Sequence, residues 1–255
     1  MSCLGEPCVS NWFVAPRPRP LAGLRMFAVP FAGRGASLFY PWHAALPDWI
    51  ELVAVQLPGR EGRLAERPVT QLDEIIARLL AEIRPRLDKP YALFGHSMGA
   101  LVCFELARRL CELGAPPPVA LVLSGREAPM NPRSHHLLHT LSDAAFVDEM
   151  QARFDGIPKV VLEQPELLAL LLPTLRGDIE AIETYEYRPG PKLPMPFFLY
   201  GGEKDWQSTP ARLDGWHTLT AGPSPLRMFP GGHFYIQTDW RAVVSSLVQD
   251  FSTLA

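Results

Sequence analysis

YALFGHSMGALVCFELARRL, residues 91–110, passes from a short apolar stretch, through a serine set between two glycines, into a helix-like stretch. Tyr91–Phe94 has the length of a buried strand and stops at Gly95, and from Met98 onward the apolar residues Leu101, Val102, Leu106 and Leu110 recur at helical spacing. A strand that feeds straight into a helix is the joint of a parallel sheet covered by helices. GHSMG also fits G-x-S-x-G, in which the serine occupies a tight, strained turn and the small residues two before and two after let the chains pass. The five letters alone are a weak signal, but a strand directly before them and a long helix directly after make it a strong one.

Working outward from this joint, the pattern repeats. Strands are expected at Leu24–Val29, Glu51–Leu57, Tyr91–Phe94 and Val119–Ser124, with helices near Ser37–Leu46, Leu72–Leu87 and Met98–Leu113. Glycine or proline follows each strand within a few residues, as sharp exits require. Thr70 is the expected cap of the second helix, with Asp73 and Glu74 suited to its dipole, and Gly114 before APPP closes the third. From Met130 to Tyr187 helical stretches follow one another with no strand between them, so residues of about 130–187 are expected to form an all-helical insertion. Strands return at Pro196–Tyr200 and Leu226–Phe229, each followed by a glycine pair, and a last helix covers about Trp240–Phe251. The fold class is therefore α/β: a mostly parallel central sheet with helices on both faces. Residues 1–20 are expected as a partly extended N-terminal extension and 21–255 as one domain.

Composition narrows the possibilities. The chain has 255 residues, 47% hydrophobic and 20% charged, enough to bury a sizeable core. A net charge of −3 gives no general attraction to nucleic acid or to an anionic membrane. No secretory signal opens the chain and no run of about 18 uncharged apolar residues interrupts it, so a cytoplasmic protein is the default expectation. Cys103 and Cys111 lie roughly 12 Å apart along one helix, too far for a disulfide, and reduced thiols are also expected for Cys3 and Cys8.

A serine hydroxyl at neutral pH needs a general base within hydrogen-bond reach, and that base needs a carboxylate to fix its tautomer. After the strand PFFLY comes GGEKD, which places Asp205 just past a strand end; after LRMF comes PGGH, which places His233 likewise. Serine, then acid, then histidine, all on loops at the C-terminal edge of the sheet, is the chain order of α/β hydrolases. Ser97, Asp205 and His233 are the expected triad, with Glu203 and Asp178 as the nearest rivals for the acid; His217 lies in no strand-end context. An oxyanion hole should draw on the backbone N–H of Met98 and on a second donor from FAVPFAGRGAS, where Phe31, Ala32 and Gly33 are candidates and Ala32 is favoured.

VPFAGRGAS, LPGREGRL, FGHSMGALVCFELARRL, the block with ARFDGIP and LLPTLRGD, then YGGEKD and GGHFYI occur in this order across roughly residues 12–250. Together they resemble a type II thioesterase of polyketide or nonribosomal peptide synthesis, of the α/β-hydrolase superfamily. The resemblance implies an α/β-hydrolase fold and a stand-alone editing enzyme that cleaves acyl thioesters from the phosphopantetheine arm of carrier proteins. In that enzyme Ser97 would be the nucleophile, His233 the base and Asp205 its partner, and the helical block a lid. Arg34 is a departure, standing where the family usually shows a second glycine in its A-G-G run.

Under such a lid, Met98, Phe31, Phe146, Phe154, Leu167 and Leu171 are candidates to line an apolar chamber. Arg60, Arg63 and Arg67 on an expected surface loop are candidates to dock an anionic carrier protein, with Glu61 and Glu66 partly offsetting their charge. His135 and His139 are four apart, but no third ligand or H-E-x-x-H pattern accompanies them, so no metal is expected. Nothing in the sequence implies a redox cofactor either. The expected partners are acyl or peptidyl carrier protein domains, with no nucleic acid and no membrane, and the chain is expected to act as a monomer.

Overall fold

The computed structural model describes residues 11–131, 137–154 and 156–254. Its seven strands are β1 (Phe13–Val14), β2 (Leu24–Val29), β3 (Ile50–Val55), β4 (Tyr91–His96), β5 (Ala120–Ser124), β6 (Phe197–Gly202) and β7 (Leu226–Phe229), and they form one sheet in the order β1-β3-β2-β4-β5-β6-β7. All neighbours run parallel except β1, which pairs antiparallel with β3 at Phe13↔Val55 and Val14↔Ala54. The sheet thus begins inside the stretch expected as an extension, with the Phe13 ring packed 5.4 Å from Phe27.

Successive side chains of a strand point to opposite faces, and the core divides accordingly. Phe27, Val29, Tyr91 and Leu93 join α1 (Leu72–Ile83) and α2 (Met98–Glu112) on one face. Met26, Ala28, Ala92 and Phe94 join the 3₁₀ segment Ala36–Ala44 and the last helix on the other. The helical block comprises α3 (Asp143–Phe154), α4 (Lys159–Leu162) and α5 (Pro165–Glu183), preceded by a 3₁₀ turn at Leu138–Thr140, and it gathers a third cluster around Phe146, Met150, Leu172 and Ile179. Among the described residues, three further α-helices follow, α6 (Pro210–Leu213), α7 (Tyr235–Thr238) and α8 (Trp240–Ser252), with a 3₁₀ segment at Asp214–Leu219.

Departures from the sequence expectations have local causes. The segment expected as a helix over Ser37–Leu46 is 3₁₀, because Pro41 inside it carries no N–H for an α-helical ladder. α1 stops at Ile83 rather than Leu87, since Pro85 follows and turns the end into the 3₁₀ stretch Arg84–Arg86. Its cap position is Gln71, not Thr70, and no side chain caps it. β4 and β6 run on into GH and GG because parallel neighbours continue alongside: His96 pairs with Ser124 and Gly202 with Phe229.

The chain passes from β2 outward to β3 and then returns to place β4 on the other side of β2. The C-terminal ends of β2 and β4 therefore flank the point where the winding reverses, where an open α/β sheet leaves a crevice for a ligand. Among the described residues, no helix is long and apolar enough to cross a membrane.

Candidate active site

Ser97 follows β4 at that crevice with φ 55° and ψ −113°, a strained conformation for a residue with a side chain. The two glycines make it possible. A Cβ on Gly95 would overlap the Gly99 carbonyl, and one on Gly99 would overlap the Val29 carbonyl oxygen, so α2 starts directly against the end of β2. The Ser97 N–H donates to the Ser124 carbonyl at 2.8 Å, tying the turn to β5. Met98 opens α2, where a backbone N–H has no intrahelical acceptor. Its side chain is fully buried in the core, so the expectation that it lines a chamber fails.

His233 and Asp205, on loops after β7 and β6, meet at the same edge. The His233 Nδ1 lies 2.7 Å from Asp205 Oδ2, with both side chains almost wholly buried. Asp205 also accepts the Ser208 hydroxyl at 2.7 Å and the Gln207 N–H at 3.0 Å. Burial opposes its charge, but the hydrogen bond and charge of His233, with these two donors, hold the carboxyl below its ordinary value. A carboxylate accepts, so Nδ1 carries the proton and Nε2 presents its lone pair. Ser208 gave no signal in sequence beyond its place three residues after the acid.

Behind His233 sits His96, fully buried. Its Nε2 lies 2.9 Å from the His233 carbonyl and its Nδ1 2.8 Å from the Ser124 hydroxyl, which contacts the Tyr235 hydroxyl at 2.5 Å. Since a carbonyl only accepts, Nε2 carries the proton, Nδ1 accepts from Ser124, and Ser124 accepts from Tyr235. Desolvation drives this imidazole well below its usual range, and the nearby His233 adds to the effect. Gly125, at φ 64°, leaves no room for a Cβ against the His96 ring. Cys103 is no rival nucleophile, because burial pushes its thiol far up.

The expectations for the acid and for carrier docking meet in one place and are corrected together. Asp178 lies on α5, fully buried, in a two-pronged ion pair with Arg60 at 2.6 and 2.8 Å. Glu203 is exposed. Neither Arg60 nor Arg63 faces solvent: Arg63 binds Glu66 and the Gln56 carbonyl and covers the Trp12 ring at 4.5 Å. These two arginines are packed inward because their loop lies between the sheet edge and α5, and they form no docking patch. Arg67 is exposed.

A cavity of about 360 Å³ opens onto Ser97, His233, Phe31 and Ala32. Phe154 lines it as expected, with its ring 5.6 Å from His233. Phe146, Leu167 and Leu171 do not line it; Phe146 is wholly buried in the cluster between α3 and α5, and the two leucines pack against that cluster. The wall is instead built by Met150, Leu175, Ile179 and Ile182, which helical periodicity marks only as apolar, and by Trp206. Trp206 is 45% exposed beside the mouth, where Arg212 covers its ring and pairs with Glu127 at 2.7 Å. His217 contacts Ser224, and His139 contacts Glu183 at 2.6 Å; His135 lies outside the described residues, as do Cys3 and Cys8. Among the described residues, no three His, Cys, Asp or Glu side chains are grouped to hold a metal ion.

A parallel sheet with a strained serine on its strand–helix turn, facing a histidine–carboxylate pair at the same edge, defines an α/β hydrolase. The chain is 40% identical over 228 residues to the gramicidin S biosynthesis protein GrsT of Aneurinibacillus migulanus, 89% of each chain being covered. It is 36% identical over 237 residues to thioesterase PikA5 of Streptomyces venezuelae, covering 92% of this chain and 84% of that one. Among solved structures, the type II thioesterase BorB from the borrelidin biosynthetic cluster matches with a TM-score of 0.84 at 40% identity, covering 93% of this chain and 96% of that chain. Residues 24–251 match the thioesterase domain family, and the chain belongs to that family: it is a thioester-cleaving hydrolase.

Proposed function

We propose that this chain is a stand-alone editing thioesterase that removes aberrant or stalled acyl groups from the phosphopantetheine arm of acyl or peptidyl carrier proteins in polyketide or nonribosomal peptide synthesis. The observation that carries the chemistry is the buried Asp205–His233 pair beside a serine held at a strained angle on the wall of a cavity. The Ser97 hydroxyl attacks the thioester carbonyl while His233 Nε2 takes its proton, and Asp205 stabilises the resulting imidazolium. The N–H groups of Met98 and Ala32 receive the oxyanion; the Gly33 N–H is already bound to Asp178, and among the described residues the Ala32 N–H meets no acceptor. Collapse of the tetrahedral intermediate expels the pantetheine thiol, which takes the proton from His233. Water, activated by the same histidine, then releases the acid and restores Ser97. No step asks for a metal or redox cofactor.

The carrier-bound substrate is supported by the names of relatives tied to gramicidin S and borrelidin biosynthesis. The test compares steady-state hydrolysis of one short acyl group on a phosphopantetheinylated carrier protein and on a simple pantetheine analogue, with Ser97→Ala as the blank. A carrier preference that disappears with Ser97→Ala is expected. Equal rates on both substrates would instead describe a small-molecule esterase on this fold, and turnover surviving Ser97→Ala would remove Ser97 from the mechanism.

A further inference from the structure

The Arg60–Asp178 pair lies outside the reacting groups, yet it touches the loop that carries one of them. Asp178 Oδ2 accepts the Gly33 N–H at 2.7 Å as well as Arg60 Nη1 at 2.6 Å, while Oδ1 accepts Arg60 Nη2 at 2.8 Å. The guanidinium is otherwise satisfied by backbone: Nη1 also reaches the Arg34 carbonyl at 3.3 Å, and Nε the Pro58 carbonyl at 3.2 Å. Two separate segments, the turn after β2 and the loop after β3, therefore converge on one carboxylate carried by α5. The neighbouring contacts are of the same kind. Thr174 donates its hydroxyl to the Gly59 carbonyl, and Gln56 accepts the Ala36 N–H at 2.8 Å while donating to the Arg60 carbonyl at 2.9 Å. Gly33 sits at φ 78° under Leu175, whose side chain would be 3.0 Å from a Cβ at that position.

A buried ion pair is a poor means of stabilisation, because desolvating both charges offsets most of their attraction and apolar side chains of similar volume often do as well. Its geometry, however, is demanding: a two-pronged arginine–carboxylate contact fixes direction as well as distance. Here the fixed object is the peptide group joining Ala32 to Gly33. Holding its N–H on Asp178 withdraws Gly33 from competition for the oxyanion and sets the plane next to the Ala32 N–H. The same helix places Leu175, Ile179 and Ile182 in the cavity wall, so the oxyanion loop and the acyl-binding wall share one anchor.

We propose that Arg60 and Asp178 are positioning residues for the oxyanion hole, aiming the Ala32 N–H through the Gly33 peptide and setting it in register with the wall formed by α5. This rests on the reading of Ala32 as an oxyanion donor. The pair touches no reacting atom; its effect is on where negative charge is received. Displacing a catalytic group by about 1 Å costs on the order of 10²-fold in rate, and that is the loss expected when the anchor is removed.

The experiment measures kcat and KM on one acyl-pantetheine, and the inhibition constant of an alkylboronic acid, whose adduct with the serine presents a tetrahedral anion to the oxyanion donors. Asp178→Ala should lower kcat by about 10²-fold and weaken the boronate by a similar factor, with KM within about threefold of the parent. Asp178→Asn keeps an acceptor for the Gly33 N–H while its amide nitrogen opposes Arg60, so it should fall between the two and supply partial rescue. Removing one partner of a buried pair leaves an uncompensated charge, so the single variants are accompanied by Arg60→Met with Asp178→Leu, which removes both charges and should fold. A folded double variant with parental kcat and boronate affinity would overturn the proposal. So would a change confined to KM, which is what a merely structural role of α5 in the cavity wall would give. Failure of the serine-hydrolase reading, on which both the oxyanion role of Ala32 and this proposal depend, would be seen separately, as turnover retained by Ser97→Ala in the same assay. Parental kcat and boronate affinity in the folded double variant would overturn the positioning role alone.

Discussion

His96 should make the stability of the fold depend on pH in a way that one substitution removes. The imidazole is fully buried, donates from Nε2 to the His233 carbonyl and accepts at Nδ1 from Ser124, so a second proton on Nδ1 would displace the Ser124 hydroxyl proton and place a charge in the fully buried interior. Its folded pKa lies well below 6.5, whereas in the unfolded chain it titrates near 6.5. Below that value the unfolded state holds one more proton than the folded state, and stability falls as pH falls. With the folded imidazole neutral, the loss between pH 8 and pH 5.5 is on the order of 1 kcal/mol, which for a chain of this size lowers Tm by a few degrees, roughly 2–4 °C. The groups around it are Ser124, His233, Tyr235, Phe31 and Asp205, and the Asp205 carboxylate is held in its charged form by the partners already described. Thermal unfolding by circular dichroism at the two pH values, on the parent and on His96→Asn, isolates the contribution, since the other titrating groups are common to both. The parent should lose a few degrees more than the variant. Equal losses would mean that the buried imidazole accepts its proton in the folded state, and the hydrogen-bond directions assigned to it would be wrong.

Two further outcomes follow from packing. Gly99→Ala drives a methyl group into the Val29 carbonyl, so α2 must shift away from β2 and carry Met98 with it. Activity should fall by at least about 10²-fold, with a Tm drop measurable by calorimetry; a near-normal rate would show that the elbow tolerates the shift. Phe146→Ala removes a wholly buried ring beneath the Arg176 guanidinium, which lies 4.4 Å from it, and should cost about 3–5 kcal/mol in urea unfolding while leaving acyl-chain preference unchanged. A changed chain preference with unchanged stability would place the ring in the cavity wall.

Much of the architecture is decided by local pattern. Leu24–Val29 and Leu226–Phe229 are strands to the residue, because an apolar run bounded by breakers has few other options in a covered sheet. GHSMG between a strand and a helix is legible as a tight turn because a Cβ on Gly95 would overlap the nearby Gly99 carbonyl, although the demand for Gly99 itself comes from the Val29 carbonyl of β2. The order of Ser97, Asp205 and His233 is legible for the same reason, since strand ends and glycine pairs are local features. The identity of the side chains that face a cavity is not of this kind. Phe146 and Phe154 lie eight residues apart on one helix, and only the placement of α5 and His233 decides that the first is sealed in and the second exposed to the chamber. Charge is equally ambiguous in sequence: LPGREGRLAER reads as a solvated basic loop, yet Arg60 is buried because Asp178, 118 residues away, completes its hydrogen bonds. The sequence alone determined most of the elements, their order and the candidate reacting groups, which depend on neighbours along the chain. Which apolar residues form a wall, and which charges are neutralised inside, depends on partners brought close by the fold, and only the tertiary structure decided it.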